Sequence, residues 1–208
     1  MHNNDSWLPL FPLNTVLFPQ GVLPLKVFEA RYTDMVRDCM QSDTPFGVVL
    51  IKSGSEVGAA AEPEAVGTLA RITKWDMENL GLLLLRTEGG ARFRIRATRV
   101  LPDRRLEAQV DLLPPDEAAP VSNMHVQCAK TLKIVIDEIN AKARAEQGPE
   151  FASPFAQPLK LDDAGWVANR WCEILPIPLK ARQKLMELDD AQSRLSVVYQ
   201  YLQQHKIL

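Results

Sequence analysis

His125 and Cys128 stand three residues apart, so on a helix they could touch, formally as a base and a nucleophile. Thiolate attack assisted by imidazole is the chemistry such a pair would do, but two packed helix residues is the preferred reading. Asp162-Asp163 and Asp189-Asp190 are adjacent carboxylates, yet each pair stands where a helix start favours an anion, so capping explains them. The histidines, His2, His125 and His205, lie far apart without a His/Cys/Asp spacing typical of metal sites. Gly54-Ser55-Glu56-Val57-Gly58 lacks the lysine of a phosphate-binding loop. The expectation is therefore no catalytic residue, no metal and no cofactor: the chain does not read as an enzyme.

Three features remain as binding candidates. Arg92, Arg94 and Arg96 alternate with Phe93 and Ile95, so on a regular strand all three guanidinium groups share one face at intervals of roughly 6.6 to 7 Å. This is the candidate nucleic-acid face. No aromatic residue shares it for base stacking, and Glu88, Asp103 and Glu107 balance it, so a solvated outer face is preferred. Trp75 and Met77 sit at or beside a strand-connecting turn, where an apolar side chain is less easily buried; they are candidates for a peptide-contacting patch, with folding back onto the core as the rival. Glu146 to Leu161 carries Pro149, Pro154, Pro158, Phe151 and Phe155 and is longer than a passive helix connector; covering the helices is preferred over clasping a partner. Phe11 and Phe18 complete the peptide-binding candidates, although both fit the interior of a barrel better.

The elements that must position these residues start with Trp7 to Met40. Pro9, Pro12, Pro19 and Pro24 lack backbone donors, so the flanking segments read as short, interrupted or edge strands of an irregular barrel. Pro19-Gln20-Gly21 suits a type I turn that reverses the chain between Leu17 and Val22. Phe28, Tyr32, Met35, Val36, Cys39 and Met40 then take the spacing of one helix face. Phe46 to Ile51 is a strand-length run, and Lys52 to Ala65 reads as an acidic surface loop. Val66 to Trp75, Leu80 to Arg86, Ala91 to Leu101 and Leu106 to Leu113 read as four strands separated by Asp76 to Asn79, Glu88-Gly89-Gly90 and Pro102-Asp103-Arg104. Short connections imply antiparallel neighbours.

Leu113-Pro114-Pro115-Asp116-Glu117 ends the sheet and places a boundary, giving domains 1–115 and 116–208. A helix stripe follows through Val121, Met124, Cys128, Leu132, Val135, Ile136 and Ile139, with Ser122 or Asn123 as cap. A second helix starts near Asp162 and stops at Leu175 before Pro176. A third begins near Leu179, and Asp189 with Gln192 suits the capping box of a last helix carrying Leu195, Val198, Tyr199 and Leu202.

The motifs Leu10-Phe11-Pro12-Leu13, Val16-Leu17-Phe18-Pro19, Leu23-Pro24-Leu25 and Val27 to Tyr32 resemble the N-terminal domain of Lon-type ATP-dependent proteases, and more closely the stand-alone Lon-domain proteins. Val66 to Ile72, Gly89 to Ile95 and the helical pair of Leu175 to Leu195 extend the likeness over most of the chain. The resemblance implies an α+β chain: an N-terminal PUA-like β pseudo-barrel with one early helix, then a C-terminal α-helical bundle. It implies a non-catalytic module that recognises unfolded or extended polypeptide, the proline-interrupted strand edges offering backbone groups to a partner strand. A separate protease or chaperone is the second partner it admits. Full Lon proteases add an ATPase and a Ser-Lys proteolytic module, for which this chain has neither motif nor room. The alternative is RNA binding through the Arg92, Arg94, Arg96 face, since PUA-like sheets also occur in RNA-modifying proteins.

Composition bounds these readings. A chain of 208 residues with 46% hydrophobic content suffices for one large or two small cores, and a net charge of −2 argues against nucleic acid or anionic membrane as a dedicated partner. Cys39, Cys128 and Cys172 are odd in number and widely spaced, which suits reduced thiols and a cytoplasmic setting. Met1 to Trp7 lacks the pattern of a secretion signal, and no apolar run approaches the roughly 18 residues that span a bilayer.

Overall fold

Proline shapes the first strand pairing. In the computed structural model, which describes residues 6–79, 81–148 and 151–208, β1 (Leu8–Leu13) changes partner half-way along. Leu8–Leu10 run antiparallel to β7 (Leu106–Leu112), and Leu10–Leu13 run parallel to β3 (Phe46–Ser53). Pro9 and Pro12 thus each meet a ladder on one side only, which leaves a side for the ring that cannot donate. β1 is a short strand with interrupted pairing, one of the forms expected for these prolines. His2, Leu80 and Pro149 lie outside the described residues.

The remaining strands of the first unit, which ends at Pro115, are β2 (Val22–Val27), β4 (Glu62–Pro63), β5 (Val66–Asn79) and β6 (Leu82–Val100), with helix α1 (Ala30–Ser42) after β2. Pairing runs β1–β7–β6–β5–β3 and returns from β3 to β1, so five strands close a circuit; β2 adds to β6 and β4 to β3. The interior holds Phe11 stacked on Tyr32 at 4.2 Å, with Met35, Val36 and Cys39 of α1 packed against Phe46, Leu83 and Leu85. Leu10, Val49, Phe93, Leu106 and Ala108 make a second cluster. Phe28, expected on the α1 stripe, precedes the helix and is 63% exposed; the stripe starts at Tyr32.

Two expected breaks are not breaks. β6 continues through Glu88-Gly89-Gly90, with Gly89 opposite Ala70, and β5 continues through Asp76 to Asn79. The glycine in the strand marks a close approach instead. Gly89 N donates to Gly21 O at 2.8 Å and Gln20 N donates to Gly89 O at 2.7 Å, seating the preceding turn on β6. That turn closes through Gly21 N to Phe18 O at 2.9 Å with φ of 59° at Gln20, the type II form rather than type I. Thr68 Oγ1 to Leu17 O (2.6 Å) and Thr87 Oγ1 to Leu23 O (2.8 Å) fasten the same segment to β5 and β6. The acidic stretch after Lys52 is also less irregular than expected, since β3 extends to Ser53 and β4 pairs with it.

The second unit, Asp116–Leu208, contains α2 (Val126–Gln147), α3 (Ala164–Ile174), α4 (Leu179–Glu187) and α5 (Ala191–Gln204). Asp163 caps α3 by accepting from Trp166 N at 2.6 Å, and α3 ends as Leu175 turns extended before Pro176. Trp171 Nε1 donates to Cys128 O at 3.0 Å, joining α3 to α2. Asp190, not Asp189, caps α5 through Ser193 N at 2.6 Å, and Gln192 donates to Pro120 O instead of closing a capping box. Neither Ser122 nor Asn123 caps α2: a single 3₁₀ turn, Asn123–His125, comes first, and Ser122 Oγ lies 3.1 Å from His125 Nδ1. No helix among the described residues is long and apolar enough to cross a membrane.

Candidate functional site

Residues directly opposite one another in antiparallel strands share a face. Across β2, β6 and β5 the register therefore makes two apolar rows, Leu25–Leu85–Trp75 and Val27–Leu83–Met77. Val27, Leu83 and Leu85 are core residues, while Trp75 and Met77 at the β5 end are 53% and 55% exposed. The pair thus carries the core face of the sheet out into solvent. The opposite face is polar, with rows Val22–Glu88–Arg71, Pro24–Arg86–Lys74 and Lys26–Leu84–Asp76.

β5 has a second neighbour only at its beginning, where β3 pairs with Thr68, Leu69 and Ala70. From Arg71 onward its side away from β6 meets no strand among the described residues. A cleft of about 200 Å³ lies there, with Met40, Asp43 and Thr44 at the end of α1 facing Arg71, Ile72, Thr73 and Trp75. A second groove, of about 280 Å³, follows β2, floored by Leu13, Leu23 and Tyr32 and rimmed by Phe28 and Val57, which is 58% exposed. Sequence reasoning missed these two rim residues: Phe28 fits a helix period, and Val57 sits in a polar loop.

The other candidates are placed as follows. Phe11 and Phe18 fill the interior of the first unit. Phe155 is buried, Phe151 lies under the Arg144 guanidinium at 5.2 Å, and Ser153 Oγ donates to Asn140 at 2.9 Å, so this segment covers α2. The arginines do not form one solvent face. Arg92 is buried, Arg94 is exposed, and Arg96 pairs with Asp111 at 3.2 Å; a bulge between Ile95 and Ala97 interrupts the alternation that a common face requires.

His125 and Cys128 are both buried, as packed residues. Burial lowers the His125 pKa, and the ring faces hydroxyls: Ser122 at 3.1 Å and Ser196 at 3.5 Å. Burial pushes the Cys128 thiol up to about 11 and Cys172 up to about 12, and raises Cys39 as well. None of the three is a thiolate near neutrality. In the folded protein at pH 8 none should react with a maleimide or aromatic disulfide on the timescale that labels all three in denaturant. Rapid native labelling of Cys128 would contradict this burial. Among the described residues no group of three or more His, Cys, Asp or Glu could hold a metal ion.

A family model for the ATP-dependent protease La (LON) substrate-binding domain matches residues 7–204. This chain belongs to that family. The Lon protease 2 of Myxococcus xanthus is 28% identical over 201 residues, 94% of this chain and 23% of the relative. The Lon protease of Anaeromyxobacter dehalogenans (strain 2CP-C) is 26% identical, again over 94% of this chain and 23% of its own length. The chain thus spans less than a quarter of these curated relatives, and the part it matches is the substrate-binding domain. Among solved structures, a Lon N-terminal domain protein from Xanthomonas campestris is 34% identical, covering 94% of this chain and 98% of its own, with a TM-score of 0.73. The N-terminal domain of the Mycobacterium avium complex Lon protease shares the fold at 15% identity and a TM-score of 0.67, covering 96% of this chain. The Lon N-terminal fold, with both helix and sheet, is thereby shown for this chain.

Proposed function

We infer that this Lon-family chain recognises exposed apolar stretches of unfolded or extended polypeptide and acts by binding, without ATPase or protease chemistry of its own. In this reading the closed strand circuit of the first unit is a PUA-like barrel and the helices α2 to α5 of the second unit are a bundle. The observation that carries the reading is the pair Trp75 and Met77, a continuation of the core face left open to solvent in a chain whose match is to a substrate-binding domain. ATP-driven unfolding and peptide-bond cleavage would then be supplied elsewhere, by a separate protease or chaperone that takes over the captured segment.

Calorimetric titration with a permanently unfolded polypeptide, such as a reduced and carboxymethylated small protein, tests it. Affinity is expected on the order of micromolar, about −8 kcal/mol. Replacing Trp75 and Met77 together by alanine should weaken it roughly tenfold or more, since a few large apolar residues carry most of such binding. Absence of heat at high concentration, or equal affinity in the double variant, counts against the reading.

A further inference from the structure

We propose that the open edge of β5 at Arg71–Met77 takes up an extended segment of the partner polypeptide as an added strand, apolar residues on the Trp75 side and acidic residues on the other. The proposal rests on the polypeptide-binding reading above and adds where the segment sits and how it is read.

Among the described residues several strand stretches meet a neighbour on one side only, and those of β2, β4 and β5 differ in how open they are. β2 carries Pro24 at its centre and β4 is two residues long with Pro63 as one of them, both features that discourage pairing with a foreign strand. β5 beyond Ala70 has no proline, and Arg71, Ile72, Thr73 and Trp75 of it line the cleft at the end of α1. The ladder has a natural end, because Met77 N already donates to Asp76 Oδ1 at 2.8 Å. An extended backbone is the ligand that satisfies alternating N–H and C=O groups along such an edge.

Side chains define the occupant further. An added strand would set every second side chain beside Trp75 and Met77, prolonging the rows Leu25–Leu85–Trp75 and Val27–Leu83–Met77 by one apolar residue each. Its other side chains would extend the polar face, which holds Lys26, Arg71, Lys74 and Arg86 against Asp76 and Glu88. That excess of cations favours carboxylates on the incoming strand. Arg71 reaches Asp43 at 4.0 Å with both side chains largely exposed, a weak pair that a better-placed carboxylate can replace.

The test uses the full chain and a synthetic ten-residue peptide of alternating valine and glutamate, with two derivatives N-methylated at every valine or at every glutamate. Successive amides of a strand point to opposite edges, so each derivative blocks one edge and leaves the side chains intact. The parent peptide is expected to bind and to slow amide exchange at residues 71–77. One derivative should lose at least tenfold in affinity while the other keeps it. Equal affinity of both derivatives, equal loss in both, or exchange protection elsewhere overturns strand addition. If the unfolded polypeptide binds and the parent peptide does not, this proposal falls and the general reading stands. If neither binds, the general reading fails and the proposal with it.

Discussion

Arg194→Ala is expected to destabilise the second unit by about 3–5 kcal/mol, the loss that follows when one partner of a buried ion pair is removed. Arg194 is 1% exposed, and all five of its N–H donors meet acceptors. Nη1 donates to Asp116 Oδ2 at 2.6 Å and Asn169 Oδ1 at 3.1 Å, Nη2 to Asp116 Oδ1 at 3.2 Å and to Leu188 O, and Nε to Leu185 O at 2.8 Å. One guanidinium on α5 thereby joins α3, the end of α4 and the chain entering the second unit. Alanine would leave the Asp116 carboxylate and two carbonyls without this donor set. Lysine would fare little better, because three donors on one nitrogen cannot reproduce a planar fork. Arg194→Met combined with Asp116→Leu removes both charges and should be milder than Arg194→Ala alone. Urea unfolding followed by far-ultraviolet circular dichroism checks this, and a loss below about 1 kcal/mol for the alanine variant contradicts the network's role.

That network was not legible in the sequence. Asp116 falls in the proline-rich connection, and nothing in the local pattern around Arg194 points to it; their meeting depends on how α3, α4 and α5 pack. Local signals did better. Asp163 before Ala164, Pro176 after Leu175 and the apolar stripe from Tyr32 to Cys39 each act within one or two helical turns, and the corresponding ends and faces lie where those residues put them. The cap of α5 shows the grain of such reasoning: Asp189 and Asp190 are chemically equal, and it is the second that accepts from Ser193 N. In the candidate site, Trp75 and Met77 stand out in the sequence for a turn expected at Asp76 to Asn79, but β5 runs on through it, and the two are exposed at the strand's open side instead. Their alignment with Leu85 and Leu83 was not legible, because cross-strand register is a long-range property shifted by bulges in β5. The arginine alternation misled partly for the same reason, the bulge between Ile95 and Ala97 displacing Arg96, while Arg92 and Arg94, both before it, differ in burial.

Gly89→Ala should likewise cost the first unit about 2–4 kcal/mol, through overpacking and two strained backbone hydrogen bonds. A Cβ at Gly89 would run into the Phe18 carbonyl oxygen and stand 3.1 Å from its carbon and 3.2 Å from Leu17 Cγ. The obstacle is backbone that cannot swing aside. Phe18 accepts the hydrogen bond that closes the turn, and Gln20 and Gly21 exchange hydrogen bonds with Gly89 itself. Moving that turn moves Val22, the first residue of β2, away from Glu88 of β6 and loosens the strand that backs the Leu25–Leu85–Trp75 row. Polypeptide binding should therefore weaken together with stability, although Gly89 touches no proposed ligand. Gly90→Ala is the control, because a Cβ there makes only ordinary contacts of 3.6 Å with Leu69. It should change stability by less than about 1 kcal/mol, and its sign could be favourable because alanine restricts the unfolded chain. Urea midpoints and titrations of the two variants separate the cases. Equal behaviour of both glycines would mean that the close approach of the turn to β6 does not hold the sheet's apolar rows in register.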